Sequence, residues 1–356
     1  MKVSQQNIAE RLNVSISTVS RALRNDDSIL PATRAKIFKT ASEMGYRPKL
    51  KRVHERVGDA TVAQPVIGVY AHEPRAGSWT NSESRGAGHY MLSGISAAAA
   101  TLGAQIYFQS VHDGEIEQIF GEKGGGPSRL RERECSGALL LYLHEPAAVQ
   151  RLAGHFPCVS LVNRYTAADT DTVGVDAHQS LGDLIGRLVD HGHHRIGFFN
   201  GRSRGPWVGE RFAAYVNVMM RYGLGFDPEI VKGVYDQERL SVEQARESLF
   251  AATRQGVTAW VCSHDDTGYK VCRALRAEGF DVPGDVSVVG FDGVAAPQGE
   301  PALGTVLSPL EDLGQAGVVR LLSRIKDPTM ATRTVLLKSR ITEGQTIGPA
   351  LSLIHI

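Results

Sequence analysis

Two hydrophobic periods divide this chain. Near the start, apolar positions recur at helical spacing. Ile8, Ala9 and Leu12 make one apolar face behind Ser4, a residue suited to cap a helix. Val19, Ala22 and Leu23 make a second face behind Ser15, while Ile16, Ser17, Thr18, Ser20, Arg21 and Arg24 fall on the opposite side. Asn13 lies between them, where a tight corner needs a residue tolerant of positive φ, and Val14 fills the angle. The spacing predicts two short helices joined at a corner. Pro31 then opens a third helix, closed onto the small core by Ile37, Ala41 and Met44 and ended by Gly45.

From Val66 the pattern changes to short, continuous apolar runs: Val66–Tyr70, Gln105–Phe108, Ala138–Tyr142, Cys158–Val162, Arg195–Phe199, Thr258–Cys262 and Val286–Phe291. Helical stretches separate them, at residues 87–102, 146–154, 177–191, 208–222, 241–255 and 267–278. Unalternating strands with helices between them imply parallel sheets covered on both faces. Such sheets bind ligands beyond the carboxyl ends of their strands. The glycine-rich run Gly121–Gly126 reads as a loop, because it lacks the Gly-Lys-Ser/Thr ending of a phosphate-binding loop.

Charge sharpens the division. The chain has 356 residues and a net charge of only +1, but residues 1–56 hold 12 Lys and Arg against 5 Asp and Glu. The rest is mildly acidic. A basic head coincident with a helix pair is the footprint of a part that meets phosphate. Small polar side chains and an arginine at the start of the second helix suit the reading of base edges, the layout of a helix-turn-helix. Arg34, Lys36, Lys39 and Arg47 are placed to contact phosphates, which orient a protein on DNA without specifying sequence. Cys135, Cys158, Cys262 and Cys272 lie in or beside apolar runs without metal-ligand spacing, so buried, reduced thiols are expected. No apolar run approaches the roughly 18 residues of a membrane span. With no apolar signal region at the N-terminus, a cytoplasmic protein without membrane contact is expected.

Val14-Ser-Ile-Ser-Thr-Val-Ser-Arg-Ala-Leu23, Pro31-Ala-Thr-Arg34 and Glu43-Met-Gly-Tyr-Arg-Pro48 together resemble the DNA-binding headpiece of the LacI/GalR family of bacterial transcriptional regulators. The similarity is specific in the headpiece and continues more loosely to about residue 345. It implies an N-terminal all-α helix-turn-helix headpiece over residues 1–48 and a hinge or linker over 49–65. An α/β effector domain of the two-subdomain, periplasmic-binding-protein-like kind would follow over 66–349, with parallel sheets. Its N-subdomain would span about 66–165 and 296–326, and its C-subdomain about 166–295 and 330–345. The tail, 350–356, fits nothing before it and is read as artefactual. The resemblance also implies a homodimer on inverted-repeat operator DNA and a sugar-like effector in the cleft between subdomains, with no cofactor, no metal and no catalysis.

Site residues follow from the same resemblance. Ser4, Ser15, Ile16, Ser17, Thr18, Ser20, Arg21, Arg24 and Arg34 are the expected DNA contacts, with Arg21 the guanine reader. The family's hinge helix wedges a leucine into the minor groove. Glu55 holds that position here, and Leu50, Val53 or Val57 would serve only in another register; a flexible basic linker is the alternative. For the effector, Arg211 falls where the family places an arginine that grips hydroxyls or carboxylates, a role its planar fork suits. Asp265 follows a strand and matches the family's Asn-Asp pair, with His264 in place of the asparagine. Trp207 is placed either to stack on a pyranose or to pack internally, while Asn163, Arg164, Tyr90 and Asp292 are further candidates. Arg202 and Arg204 hint at an acidic effector.

Two patterns suggest other chemistry. Gly201-Arg-Ser-Arg-Gly205 matches the nucleophile motif of hydrolases, but Pro206 follows where that motif runs straight into a helix. His191-Gly-His-His194 suggests a metal site, yet resembles the family's Gly-His turn before a strand. A sugar sensor without DNA binding is the nearest alternative class, and a hydrolase built on Ser203 a distant one.

Overall fold

The computed structural model describes residues 3–350 apart from 25, 27, 45, 47–53, 58–59, 73–85, 113–134, 143, 202–204 and 235–240. Three helices open the chain: α1 (Gln5–Leu12), α2 (Ile16–Leu23) and α3 (Pro31–Glu43). Ser4 caps α1 through a reciprocal capping box with Asn7, and Asn13 ends it in the left-handed conformation at φ 52°. Ser15 caps α2 by accepting from the Thr18 amide at 3.0 Å. Ile8, Val19, Ala22 and Ile37 are buried between the three helices, as the spacing predicts. α3 also packs against α4 (Ala87–Thr101) and β4 (Gln105–Val111). Its buried residues, from Arg34 and Ala35 to Thr40 and Ala41, therefore spread around much of the helix.

The linker contains no helix among its described residues. Instead, β1 (His54–Val57) pairs antiparallel with β2 (Ala60–Ala63), placing Glu55 opposite Val62. Where the family has a hinge helix, the described residues around Glu55 form a two-stranded ribbon. Leu50 and Val53 lie outside the described residues, as do the loop at 121–126, Arg202, Ser203, Arg204 and the tail beyond 350.

The remaining chain forms two α/β units, divided as Met1–Gly174 with Leu310–Val335, and Val175–Pro309 with Leu336–Ile356. In the first, β3 (Val66–His72), β4, β5 (Gly137–Leu141), β6 (Cys158–Leu161), β7 (Thr170–Val175) and β13 (Thr334–Leu337) lie in the order β13-β7-β6-β5-β3-β4. Helix α5 (Pro146–Ala153) connects β5 to β6. The ladders from β4 to β7 are parallel. In the second, β8 (Ile196–Phe199), β9 (Val231–Lys232), β10 (Ala259–Cys262), β11 (Ser287–Asp292), β12 (Gly304–Leu307) and β14 (Arg340–Thr342) lie in the order β14-β12-β11-β10-β8-β9. Only β14 runs antiparallel to its neighbour. Its helices are α6 (Ala177–Asp190), α7 (Pro206–Arg221), α8 (Arg246–Arg254) and α9 (Asp265–Ala277). α8 begins later than the sequence suggests.

The unit boundaries also differ from expectation. β7 extends the first sheet beside β6, so that unit runs to Gly174 rather than to 165. β12 pairs in parallel with β11, so residues 304–307 belong to the second sheet. α10 (Leu310–Lys326) returns to the first unit and crosses α4 closely. A Cβ on Gly94 would overlap the Glu311 carbonyl, and one on Gly314 the Met91 carbonyl, so only glycine permits this approach.

Beneath the first sheet's edge, α10 sends two arginines inward. Asp171 on β7 is fully buried and accepts from Arg320 Nε at 2.7 Å and from the Arg333 amide at 2.7 Å. Arg324 Nε stands 3.4 Å from its other oxygen, and Arg324 Nη2 pairs with Asp169 at 3.0 Å. The same guanidinium groups hold the Ala331 and Met330 carbonyls, fixing the turn into β13.

The histidine turn His191–His194 acts as a staple. His193 is buried, with Nδ1 2.9 Å from Thr258 Oγ1 and Nε2 3.0 Å from the Gly348 carbonyl and from Ser287 Oγ. Thr346, also buried, joins the Val288 carbonyl to the Gly304 amide, so residues 344–350 strap the second sheet. Among the described residues no cluster of ligating side chains holds metal geometry. Burial holds the His193 pKa below its ordinary value. Its contribution to stability is therefore present above about pH 6.5 and lost as pH falls further. His193→Ala is expected to lower the urea midpoint at pH 7.5 and to lose less between pH 7.5 and 5.5 than the parent does. An unchanged pH difference would refute that assignment.

Candidate functional site

Three surfaces carry the candidate chemistry. On the headpiece, the corner fixed by Asn13 and Ser15 turns the start of α2 outward. Ile16 is 46 % exposed there. Ser17, Arg21 and Arg24 are exposed beside it, and Thr18 and Ser20 are half-buried. Ser4 and Ser15 spend their hydroxyls on capping, with Ser15 Oγ also 2.8 Å from both Ser17 Oγ and Thr18 Oγ1. The result is a continuous polar strip with one apolar residue at its tip. Arg34 departs from expectation. It is 2 % exposed and donates Nη1 to the Asp26 carbonyl at 3.1 Å, so it holds the loop between α2 and α3 and does not reach phosphate.

The second surface is the carboxyl edge of the second sheet. Arg211, one turn into α7, is buried with its Cζ 4.5 Å over the Trp207 ring and 3.7 Å over the Phe291 ring. It donates Nη2 to Asp292 Oδ1 at 2.8 Å and Nη1 to the Ser263 carbonyl. Two aromatic faces and two acceptors thus lock the guanidinium in one plane. Asp292 ends β11 at φ 115°, a left-handed conformation that costs a non-glycine residue energy. The strain is held where the arginine needs its partner.

Asp265 takes another task than the sequence suggests. It is 1 % exposed, and both oxygens are engaged: Oδ1 accepts from Thr305 Oγ1 at 2.5 Å and Oδ2 from the Val294 amide at 2.8 Å. It anchors the loop after β11, each carboxylate oxygen already accepting a bond within the protein. His264 caps α9, its Nδ1 accepting from the Thr267 amide at 3.3 Å. Asn200, absent from the sequence-based candidates, is buried directly after β8 and donates Nδ2 to the Gly233 carbonyl at 2.8 Å. Its position immediately beyond a strand is the signal that would have found it.

Burial, reinforced by the Asp292 charge, pushes Asp265 up to about 7. A carboxyl whose folded pKa lies above the ordinary value of about 3.9 stabilises the fold fully below that value, and the gain is lost as pH rises through 7. Asp265→Asn is expected to flatten the fall in stability between pH 4 and 7. A parent-like pH slope would show that Asp265 titrates normally.

On the first sheet's carboxyl edge, Asn163 follows β6 and Val162, whose φ is 73°. It is 1 % exposed, yet among the described residues neither Oδ1 nor Nδ2 has a hydrogen-bond partner. An unpaired buried amide costs about 1–3 kcal/mol per group, a cost that a bound ligand relieves. His144, also missed from sequence, donates Nε2 to the Tyr70 carbonyl at 3.1 Å, and its ring lies 5.6 Å from that of His72. Burial holds it at about 4, so it is neutral. Tyr165 Oη accepts from the His144 amide at 2.8 Å. Tyr90, in the first turn of α4, is half-buried against His89, and Arg164 is exposed.

A model of bacterial regulatory proteins of the lacI family matches residues 5–49, and one of the periplasmic binding protein-like domain matches residues 185–347. The class is therefore a helix-turn-helix headpiece carried on a periplasmic-binding-protein-like α/β body. LacI-family transcriptional regulators are homologues of this chain. The repressor CytR of Escherichia coli strain K12 is 26 % identical over 328 residues, covering 91 % of this chain and 90 % of that one. The regulator GalR of Lacticaseibacillus casei is 27 % identical over 351 residues, covering 94 % and 96 %. Among solved structures, the CelR–cellobiose complex superposes with a TM-score of 0.64 at 23 % identity, covering 97 % of this chain and all of that one (100 %). The lac repressor dimer bound to operator and the anti-inducer ONPF gives 0.60 at 20 % identity, covering 97 % and 99 %. These likenesses establish the fold. No helix among the described residues is long and apolar enough to cross a membrane.

Proposed function

We propose that this chain is a cytoplasmic, sequence-specific DNA-binding regulator, a repressor of a carbohydrate-utilisation operon that grips an inverted-repeat operator as a homodimer. One observation carries the reading: α2 and its C-terminal cap present Ile16, Ser17, Arg21 and Arg24 outward on a headpiece with a strong excess of basic residues. Arg21 reads guanine, Ile16 contacts a thymine methyl, and Ser17 adds a polar contact. A sugar-like effector binds at the carboxyl edge of the second sheet, where Arg211, held between Trp207 and Phe291 and paired with Asp292, supplies fixed donors beside an aromatic face. Asn163 and Tyr90 belong to the carboxyl edge of the other sheet and are proposed effector contacts in their own right. Operator affinity then changes by the effector's differential affinity for two states of the protein.

The test is selection of random duplex DNA by the purified protein, with sequencing of the retained fraction, repeated across a panel of sugars and sugar acids. An enriched inverted repeat whose retention changes with one panel member is the expected result. Salt-sensitive retention with no motif under any condition would reduce the headpiece to a phosphate grip. Effector binding without any retention would favour a sugar sensor that does not bind DNA.

A further inference from the structure

The loop between α2 and α3 is joined to the proposed base-reading arginine by a continuous set of hydrogen bonds. Arg21 Nη1 donates to Ser28 Oγ at 3.3 Å, and Ser28 Oγ donates onward to Asp26 Oδ1 at 2.5 Å. The Ser28 amide donates to the same carboxylate oxygen at 2.9 Å. The Asp26 backbone is fixed in turn. The Asp26 amide donates to the Arg21 carbonyl at 3.1 Å, and the Asp26 carbonyl accepts from the Ile29 amide at 3.1 Å and from buried Arg34 at 3.1 Å. Ile29 is itself buried, so the loop is pinned from below while Ser28 and Arg21 remain exposed above it. The two Ser28 bonds hold the Asp26 carboxyl below its ordinary pKa, with smaller contributions from Arg21 and Arg24, so it stays ionised.

This arrangement has two physical consequences. A free arginine side chain loses about 2 kcal/mol of rotamer entropy when it is immobilised on a base. A tether made before binding reduces that loss and restricts the directions in which the guanidinium points. Only one of five N–H groups is spent on Ser28, leaving Nη2 and Nε for a bidentate contact. The Asp26 charge, meanwhile, opposes the positive potential of Arg21 and Arg24. It weakens attraction to any phosphate backbone without removing a donor from the base-reading face.

We propose that Asp26 and Ser28 are positioning residues that aim Arg21 at one base of each operator half-site, and that the Asp26 charge restrains non-specific grip on DNA. The inference rests on Arg21 reading a base, and its test separates the two. Random duplex DNA is selected in parallel by the parent protein, Ser28→Ala, Ser28→Thr, Asp26→Asn and Arg21→Ala, with thermal melts to confirm folding. Ser28→Ala is expected to select the parent motif with preference at one position per half-site weakened about threefold to tenfold, the scale of one exposed hydrogen bond. That position must be the one Arg21→Ala erases. Ser28→Thr, which keeps a hydroxyl, should restore it. Asp26→Asn should raise retention of unselected DNA about threefold and steepen its salt dependence by up to about one logarithmic slope unit.

A parent protein that selects no motif would overturn the base-reading assignment and this inference with it. A parent motif that Ser28→Ala reproduces unchanged at every position would overturn the positioning role alone. Uniform weakening across all positions would mark Ser28 as merely structural, which also overturns it.

Discussion

Arg21→Ala is expected to lower affinity for the selected operator by about two to three orders of magnitude while barely changing affinity for scrambled duplex. A bidentate arginine–guanine contact discriminates by about 1–3 kcal/mol, and a dimer makes two. The residue stands one turn from the outward tip of α2, on the strip that Ser15 capping and the Asn13 corner turn away from the core. Substitution removes no buried contact, because Val19, Ala22 and Leu23 carry the packing face. The headpiece therefore keeps its fold and its other cations. Titration of operator and scrambled duplexes at several salt concentrations gives the answer. Equal losses on both, with the salt slope reduced by about one, would make Arg21 a phosphate contact.

The largest stability effect is expected at Asp171. Asp171→Ala removes a fully buried carboxylate and leaves Arg320 and Arg324 facing each other in the interior without their shared counter-charge. Breaking one partner of such a group costs about 3–5 kcal/mol, far more than any surface pair in the molecule. For a unit of this size each kcal/mol moves the transition by about 2–4 °C, so a fall near 10 °C is expected in a calorimetric scan. Arg324 retains the exposed Asp169, which softens the loss slightly. Replacing Asp171, Arg320 and Arg324 together with apolar residues should cost less than the single change, because no charge is left stranded. A shift of a degree or less for Asp171→Ala would show the cluster to be hydrated.

Much of this was readable from the chain itself, and the reasons are local. Ser4, Asn13 and Ser15 act through neighbours three or four residues away, so their roles follow from spacing alone. The interior strands are unbroken apolar runs, and their helices begin near the expected positions. What escaped notice depends on distant partners. Helix α10 was not among the expected elements: its apolar stripe is interrupted by Arg320 and Arg324, whose shared partner Asp171 lies far away in sequence. Arg34 looks like a phosphate contact, and Asp265 like a sugar acceptor, because sequence does not reveal that Asp26, Thr305 and Val294 already occupy them. The short edge strands β9 and β14 are too brief for any period to announce. The pairing of β1 with β2 depends on backbone register that no side-chain pattern in that basic stretch displays.

The late return of the chain has a consequence during synthesis. The first sheet is flanked by α10 and edged by β13, and the second is edged by β14 and strapped by residues 344–350, all among the last segments to leave the ribosome. The headpiece core, in contrast, is complete once α3 has emerged. For most of translation, two partly built parallel sheets wait with open edges and uncovered apolar faces, the condition that invites aggregation. A nascent chain of this design completes its three-helix headpiece long before either sheet is closed, and the sheet edges stay open to misassembly until α10 and the closing strands arrive.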